Sequence, residues 1–419
     1  MRILVYPHDL GIGGSQLNAI ELAGRLQGRG HEVTVFGRPG PLVARVEELG
    51  LEFVPAPAPR RRPSPRVVRA LTELVQRRGF DVLHGYEWPP ILEAWIAARQ
   101  SGRDVRGVGT VMSMAVAPFL PRSLPLLVGT EQIAAAEELA GRRGVQVMEP
   151  PVDLEHNRVD ADAVAAFRDR WRIAPDELTV LTVTRLAREL KSEGLFTAVD
   201  EVTALAADRP VKLVIVGGGP AEAEVRRRVE QANARCGREV AVMTGELADP
   251  RPAYAVGDVQ LAMGGSALRA LCFGKPLIVQ GERGFWRLLD PDSVGDFLWA
   301  GWYGVGEGVA AGPAALRGEL AKVLDDPDRR RELGRFGREL VERRFGLDAA
   351  TDRLEQFYAD ALAPTRTGVP FQDVLTSGVR FGRYSVARRA GRVLHRAHVD
   401  DFNSRPVASS GLRRQDVAR

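Results

Sequence analysis

The chain opens on short apolar runs, each broken by glycine or polar residues and each followed by a stretch with helical spacing. RILVYPH leads into the loop DLGIGGSQ, then LNAIELAGRLQGRG, then HEVTVFG. Leu17, Ile20, Leu22 and Leu26 recur at roughly one turn of helix, and Gly28 and Gly30 stop the pattern. Strand, helix and strand in that order predict a parallel sheet. LEFVPA, the loop PAPRRRPSPR and the helix VVRALTELVQRRG continue the alternation, and FDVLHGY, VRGVGTVMS, PLLVGT and VQVMEPPVD read as further strands ending on small or polar residues.

A second cycle begins near Glu177, with strands predicted in ELTVLTVTRL, VKLVIVGGG, VAVMTGEL, VQLAMGG and KPLIVQGE and helices such as PAEAEVRRRVEQANARCG between them. The charged segment HNRVDADAVAAFRDRWRIAPDE reads as linker and helix, which puts a boundary near residue 155. The expected fold is α/β, with two doubly wound Rossmann-like parallel-sheet domains, 1–155 and 156–345, facing each other across a cleft. A C-terminal helix, 346–364, is expected to pack back on the first domain, and 365–419 to form an arginine-rich, partly disordered tail. Ligands of such sheets sit beyond the carboxyl ends of the strands, so those ends are where chemistry is sought.

Composition narrows the class. With 419 residues, 45% hydrophobic and 27% charged, the chain suits two soluble globular domains. The two cysteines, Cys236 and Cys272, have no spacing that suggests a metal site or a disulfide framework, which fits a reducing cytoplasm. The first apolar run is too short for a signal-peptide core, and no segment approaches about 18 uninterrupted apolar residues, so a cytoplasmic location is expected. The net charge of +4 is small, yet arginines gather in VRFGRYSVARRAGRVLHRAH and GLRRQDVAR. That excess reads either as a solvated tail or as a peripheral contact with an anionic membrane at its inner face, through a basic amphipathic helix that includes Tyr384, Val386 and Val393. No nucleic-acid partner is expected.

Candidate chemistry collects at the strand ends. In TVTRLARELKSEGL an apolar strand stops at Arg185, and Lys191 stands where the next helix begins. Two cations there suit a diphosphate, because arginine can be bidentate to phosphate and lysine adds a point charge. In LVIVGGGPAEAEV, Gly218 and Gly219 follow a strand with Pro220 placed as a first helical residue; in GGSALRALCFGKPLIV, Gly264 and Gly265 precede Ser266 as an N-cap, with a short helix from Ala267 to Phe273. Glycine turns at helix N-termini can cradle anions, and they also serve simply as tight turns. Gly11, Gly13 and Gly14 of GIGGSQ offer a similar loop in the first domain. Gln16 breaks the G-x-G-x-x-G pattern and no acidic residue ends HEVTVFG, which disfavours a nicotinamide cofactor. His84, Tyr86, Glu87 and Trp88 of LHGYEWPP either line an acceptor pocket or serve as hydrogen-bonded structure. Glu282 of VQGERGFW either accepts sugar or ribose hydroxyls or is an exposed loop carboxylate. Trp302 and Tyr303 form a platform or merely pack.

In combination, GIGGSQ, VTRLARELKSEGL, VIVGGGP and GDVQLAMGGSALRALCFGKPLIV resemble retaining glycosyltransferases of the two-Rossmann (GT-B) fold, family four, over roughly residues 1 to 360. The resemblance implies transfer of a sugar from a nucleotide-diphosphate donor with retention at the anomeric carbon, with no cofactor or metal. It implies that Arg185 and Lys191 bind the donor diphosphate and that Gly13 and Gly14 contact the same phosphate or the reacting centre. The chain departs from the family at two places. Of two glutamates usually eight residues apart, the second aligns with Arg269 and the loop of the first is shortened to MGGS, so Glu282 is the expected replacement. Met112 of GTVMSM stands where a first-domain histidine is common, among the expected acceptor contacts. A nucleotide-sugar epimerase of the same fold and a non-catalytic sugar-nucleotide binder remain alternatives; donor base, donor sugar and acceptor are left open.

Overall fold

The computed structural model describes residues 1–363 and 371–393, together with 402, 407, 412 and 414. The chain divides into two units, residues 1–151 with 347–419, and residues 152–346. The first holds strands β1 (Arg2–Tyr6), β2 (Glu32–Gly37), β3 (Glu52–Pro55), β4 (Val82–Tyr86), β5 (Arg106–Val111), β6 (Leu126–Val128) and β7 (Val145–Val147). The second holds β8 (Leu178–Val183), β9 (Val211–Val216), β10 (Ala241–Gly245), β11 (Val259–Ala262), β12 (Leu277–Gln280) and β13 (Trp286–Leu288).

The strand orders are β3-β2-β1-β4-β5-β6-β7 and β10-β9-β8-β11-β12-β13. All pairings are parallel except that of β13 with β12. Both are doubly wound sheets, as the strand pattern predicts. Helices cover both faces of such a sheet, which is why β9, VKLVIV, is buried at every position and is apolar except for Lys212. The short antiparallel β13 is the one strand the apolar pattern does not mark: it is three residues long and follows directly on the Gly284 turn.

Local chemistry sets the helix ends. Asp160 caps the helix Ala161–Arg170 by accepting from the Ala163 amide at 2.7 Å. The helix Pro65–Arg78 has Ser64 as its cap, Pro65 at its first position and left-handed Gly79 at its end. Two expected starts shift. Pro220 lies outside the helix Glu222–Cys236, in the turn before it. Ser266 lies inside the helix Gly265–Leu271, whose cap is Gly264; the Ser266 hydroxyl donates to the Met263 carbonyl at 2.9 Å instead of capping.

The helix Leu347–Leu362 belongs to the first unit, where Ala350, Leu354, Phe357 and Tyr358 join the cluster built on Ile3, Ile20 and Ala23. Residues 371–393, expected within a partly disordered tail, form one helix, Phe371–Val393, packed on the first unit. Asp373 accepts from the backbone amides of Arg122 (2.9 Å) and Ser123 (2.7 Å), Ser377 donates to the Phe119 carbonyl, and Phe381 and Tyr384 pack on the Phe119 ring. Burial of those rings supplies the stabilisation that the arginine-rich composition conceals. Residues 364–370 and most of 394–419 lie outside the described residues.

Candidate functional site

In each sheet the strand order reverses at one point, between β1 and β4 in the first unit and between β8 and β11 in the second. Connections leave such a point in opposite directions, opening a crevice beyond the carboxyl ends of the two strands. In the second unit that crevice is flanked by the loop after β8, which carries Arg185 and Lys191, and by the turn after β11, where Gly264 caps the helix that begins with Gly265 and Ser266.

The loop after β8 is held from three sides. The Thr184 amide donates to Val216 and the Leu186 amide to Gly218, while the Leu186 carbonyl accepts from Ala221, each at 2.9 Å. Gly217 (φ +139) and Gly219 (φ +147) make this close seam possible: a Cβ on Gly217 would overlap the Thr184 carbonyl oxygen, and one on Gly219 would lie 2.7 Å from that of Leu186. The glycine turn therefore shapes the cation loop. From below, buried Gln280 at the end of β12 directs its amide toward the carbonyls of Leu190 (3.4 Å) and Lys191 (3.3 Å), in space that any Cβ on Gly194 would fill. On the third side Glu193 accepts from the amides of Arg283 (3.1 Å) and Gly284 (2.5 Å), tying the loop after β12 to the helix Ser192–Leu205.

Arg185 is exposed, and neither it nor the Lys191 ammonium has a side-chain partner among the described residues. Arg188, on the same loop, is already paired with Glu224 at 2.8 Å. Lys191 is half-buried, with no counter-charge beside its ammonium among the described residues, and burial pushes its pKa down to about 7. It is also the N-cap of the helix Ser192–Leu205, where first-turn amides lack intrahelical acceptors and the helix dipole is positive. An anion placed there would restore the charged lysine and meet those amides. If a diphosphate binds through this ammonium, affinity for a nucleotide diphosphate sugar is expected to be flat below about pH 7 and to weaken above it by up to about tenfold per pH unit. Titration calorimetry between pH 6 and 9 checks this; a wild-type slope no different from that of Lys191→Ala would contradict it.

The other second-unit candidates face inward more than expected. Gly264 (φ +58) gives its amide to the Trp302 carbonyl at 2.9 Å, and Gly265 has open space where a Cβ would stand. The Glu282 carboxylate accepts from the Tyr303 hydroxyl, and its backbone bonds to Gly304 and Gly306. It anchors the return of the chain between residues 281 and 306. Trp302 and Tyr303 are 2% exposed, so they pack and offer no platform.

In the first unit the corresponding crevice is flanked by the loop after β1 and by Glu87 after β4. Gly13 is the N-cap and Gly14 the first residue of the helix Gly14–Gly28. Two expected acceptor contacts are corrected. His84 is wholly buried, with Nδ1 2.7 Å from the Tyr358 hydroxyl and Nε2 2.7 Å from that of Thr110; burial lowers its pKa to about 3, so it stays neutral. Tyr86 stacks on it and is 1% exposed. Neither can reach a ligand. Glu87 (φ +65) accepts from the Met112 amide at 3.0 Å and the Ser113 hydroxyl at 2.6 Å, and Met112 is half-buried beside it. Sequence reasoning passed over His8 and Asp9, in the loop after β1: His8 Nδ1 lies 3.0 Å from Asp9, whose other oxygen accepts the Gly11 amide at 3.1 Å. Those bonds, His8 first, hold the Asp9 pKa at about 2. The signal was a polar pair one proline beyond an apolar strand, as Gln280 was a lone amide ending LIVQ.

Residues 12–127 match the family model described as Glycosyltransferase Family 4. No curated protein matches the sequence. Among solved structures, the UDP-glucose complex of HepE from Anabaena aligns with a TM-score of 0.66 at 14% identity, over 86% of this chain and 100% of its own. A glycosyltransferase from Rickettsia africae aligns at 0.67 and 12% identity, over 87% and 99%. A putative UDP-N-acetylglucosamine 2-epimerase from Listeria monocytogenes aligns at 0.57 and 13% identity, over 88% and 98%. The fold is thus the GT-B fold, and the family-four pattern stands in the first unit.

Proposed function

We propose that the chain is a retaining glycosyltransferase that takes a sugar from a nucleotide-diphosphate donor and transfers it to an acceptor hydroxyl. The observation that carries the reading is the pair Arg185 and Lys191, two cations without a counter-charge among the described residues, on a braced loop at the second sheet's switch point. The structural relative from Anabaena, solved with UDP-glucose, supports a nucleotide-sugar donor, and the match over residues 12–127 supports the transferase class.

In the proposed step the bond from the anomeric carbon to the diphosphate oxygen breaks, and the acceptor oxygen bonds to that carbon on the same face. The acceptor proton passes to the departing diphosphate. Negative charge grows on the leaving group, where Arg185 and Lys191 stabilise it more in the transition state than in the bound donor. Glu87 and Met112, at the ends of β4 and β5, are assigned to the acceptor side.

The Listeria relative keeps an epimerase in view, and the two reactions differ in what the donor does alone. A panel of nucleotide sugars, incubated first without and then with candidate hydroxyl acceptors and followed by NMR, separates them. The transferase reading expects only slow donor hydrolysis without acceptor, and a glycoside of unchanged anomeric configuration with one. Rapid isomerisation of the free donor would favour the epimerase, and an inverted product would end the retaining mechanism.

A further inference from the structure

The helix Phe371–Val393 carries more exposed apolar surface than its packing explains. Its inward face is occupied by Ser377, Phe381 and Tyr384 against Phe119 and Trp88. On the opposite face Leu375, Val379 and Val386 are 59%, 57% and 67% exposed. At 100° per residue these three lie within about 40° of one another, on one stripe roughly 16 Å long. They are half of the six large hydrophobic residues exposed among the described residues. The stripe is flanked by exposed Arg383 on one side and Arg389 on the other, neither with a partner among the described residues. The helix has five arginines against one acid, Asp373, which is bound inward to the amides of Arg122 and Ser123.

We propose that this outer face is a docking surface for an anionic lipid bilayer, with the helix lying flat at the headgroup level. Apolar side chains enter the acyl boundary, and the flanking guanidinium groups extend to anionic headgroups along their own aliphatic stems. Charge selects this occupant. A second copy of the chain meeting this face through a two-fold axis would bring like-charged arginines together, whereas an anionic surface complements them. No helix among the described residues is long and apolar enough to cross a membrane, so the contact is interfacial. Docking of the inner face on the first unit fixes the helix in advance, and no folding on the membrane is needed.

The test is co-sedimentation of the full chain with phosphatidylcholine vesicles, with and without about one third phosphatidylglycerol, in the absence of any sugar nucleotide. Binding is expected to the anionic vesicles only, and to weaken with salt. L375S/V379S/V386S leaves every arginine in place and is expected to reduce partitioning at least tenfold with an unchanged thermal melt. R383Q/R389Q should weaken it about fivefold per arginine removed, which is the factor equivalent to ~1 kcal/mol per basic residue at such a surface. Equal sedimentation of wild type and the serine variant would overturn the proposal, since binding would then reside elsewhere. So would absence of wild-type binding, including the case in which the serine substitutions instead abolish self-association in analytical ultracentrifugation. Because no donor is present, either result is independent of the transferase reading.

Discussion

The double substitution R185A/K191A is expected to lower kcat/KM for a nucleotide-sugar donor by on the order of a thousandfold or more, with most of the loss in kcat. A single preorganised donor to a developing oxyanion is worth about 10²–10³ in rate, and on the proposed reading two cations serve the leaving diphosphate. The loss falls on kcat because charge on the diphosphate is greater in the transition state than in the ground state. Lys191→Ala alone should carry the larger share, since its ammonium sits in the more desolvated position, at the start of the helix Ser192–Leu205. Arg188 provides the control. It lies on the same loop and carries the same charge, but Glu224 already occupies it at 2.8 Å, so Arg188→Ala should stay within about threefold of wild type, as exposed pairs usually do. Circular dichroism and melting curves would confirm that all three variants fold. Wild-type turnover in R185A/K191A, or equal damage from Arg188→Ala, would show that net charge on this loop, or nothing on it, matters.

How much of this was legible before the structure follows from the range of the interactions concerned. Parallel strands buried on both faces leave short apolar runs, so twelve of the thirteen strands among the described residues could be read from the chain; β13 escaped because a three-residue antiparallel edge has no such imprint. The cations could be read because a charge directly after an apolar run is conspicuous. What braces them could not. Gln280 reaches Leu190 and Lys191 across about ninety positions of sequence, and Glu193 reaches the amides of Arg283 and Gly284 across a similar span. Local pattern carries no trace of such contacts. The same blindness misplaced His84 and Tyr86. Both stand on β4 just before the exposed end, but the helix Leu347–Leu362 arrives from far along the chain and covers them, with the Tyr358 hydroxyl on His84 Nδ1. The terminal helix was hidden for a compositional reason: its arginines are obvious, whereas the aromatic contacts that order it come from Trp88 and Phe119.

The glycines separate into two kinds, and a pair of alanine substitutions should tell them apart. Gly217→Ala is expected to destabilise the second unit by about 3 kcal/mol or more, because it combines an unfavourable backbone region with overpacking. Its φ is +139°, and the new Cβ would overlap the Thr184 carbonyl oxygen, backbone that cannot yield without moving the strand end that leads to Arg185. For a unit of this size the shift corresponds to a fall in Tm of about 6–12 °C. Gly265→Ala should do the opposite to stability. It stands at the first position of a helix, with nothing within 4 Å of the new methyl group, and alanine is the better helix former by about 0.5–1 kcal/mol. If Gly265 is glycine so that a donor can approach the backbone closely, the same methyl group should weaken donor binding more than tenfold while Tm holds or rises. Calorimetry of both variants beside their melting curves reads the two properties separately. A Gly265→Ala protein that binds sugar nucleotides as wild type does would confine the donor to the β8 side of the switch point, and a Gly217→Ala protein with wild-type stability would mean that the seam between the glycine turn and the cation loop is not tight.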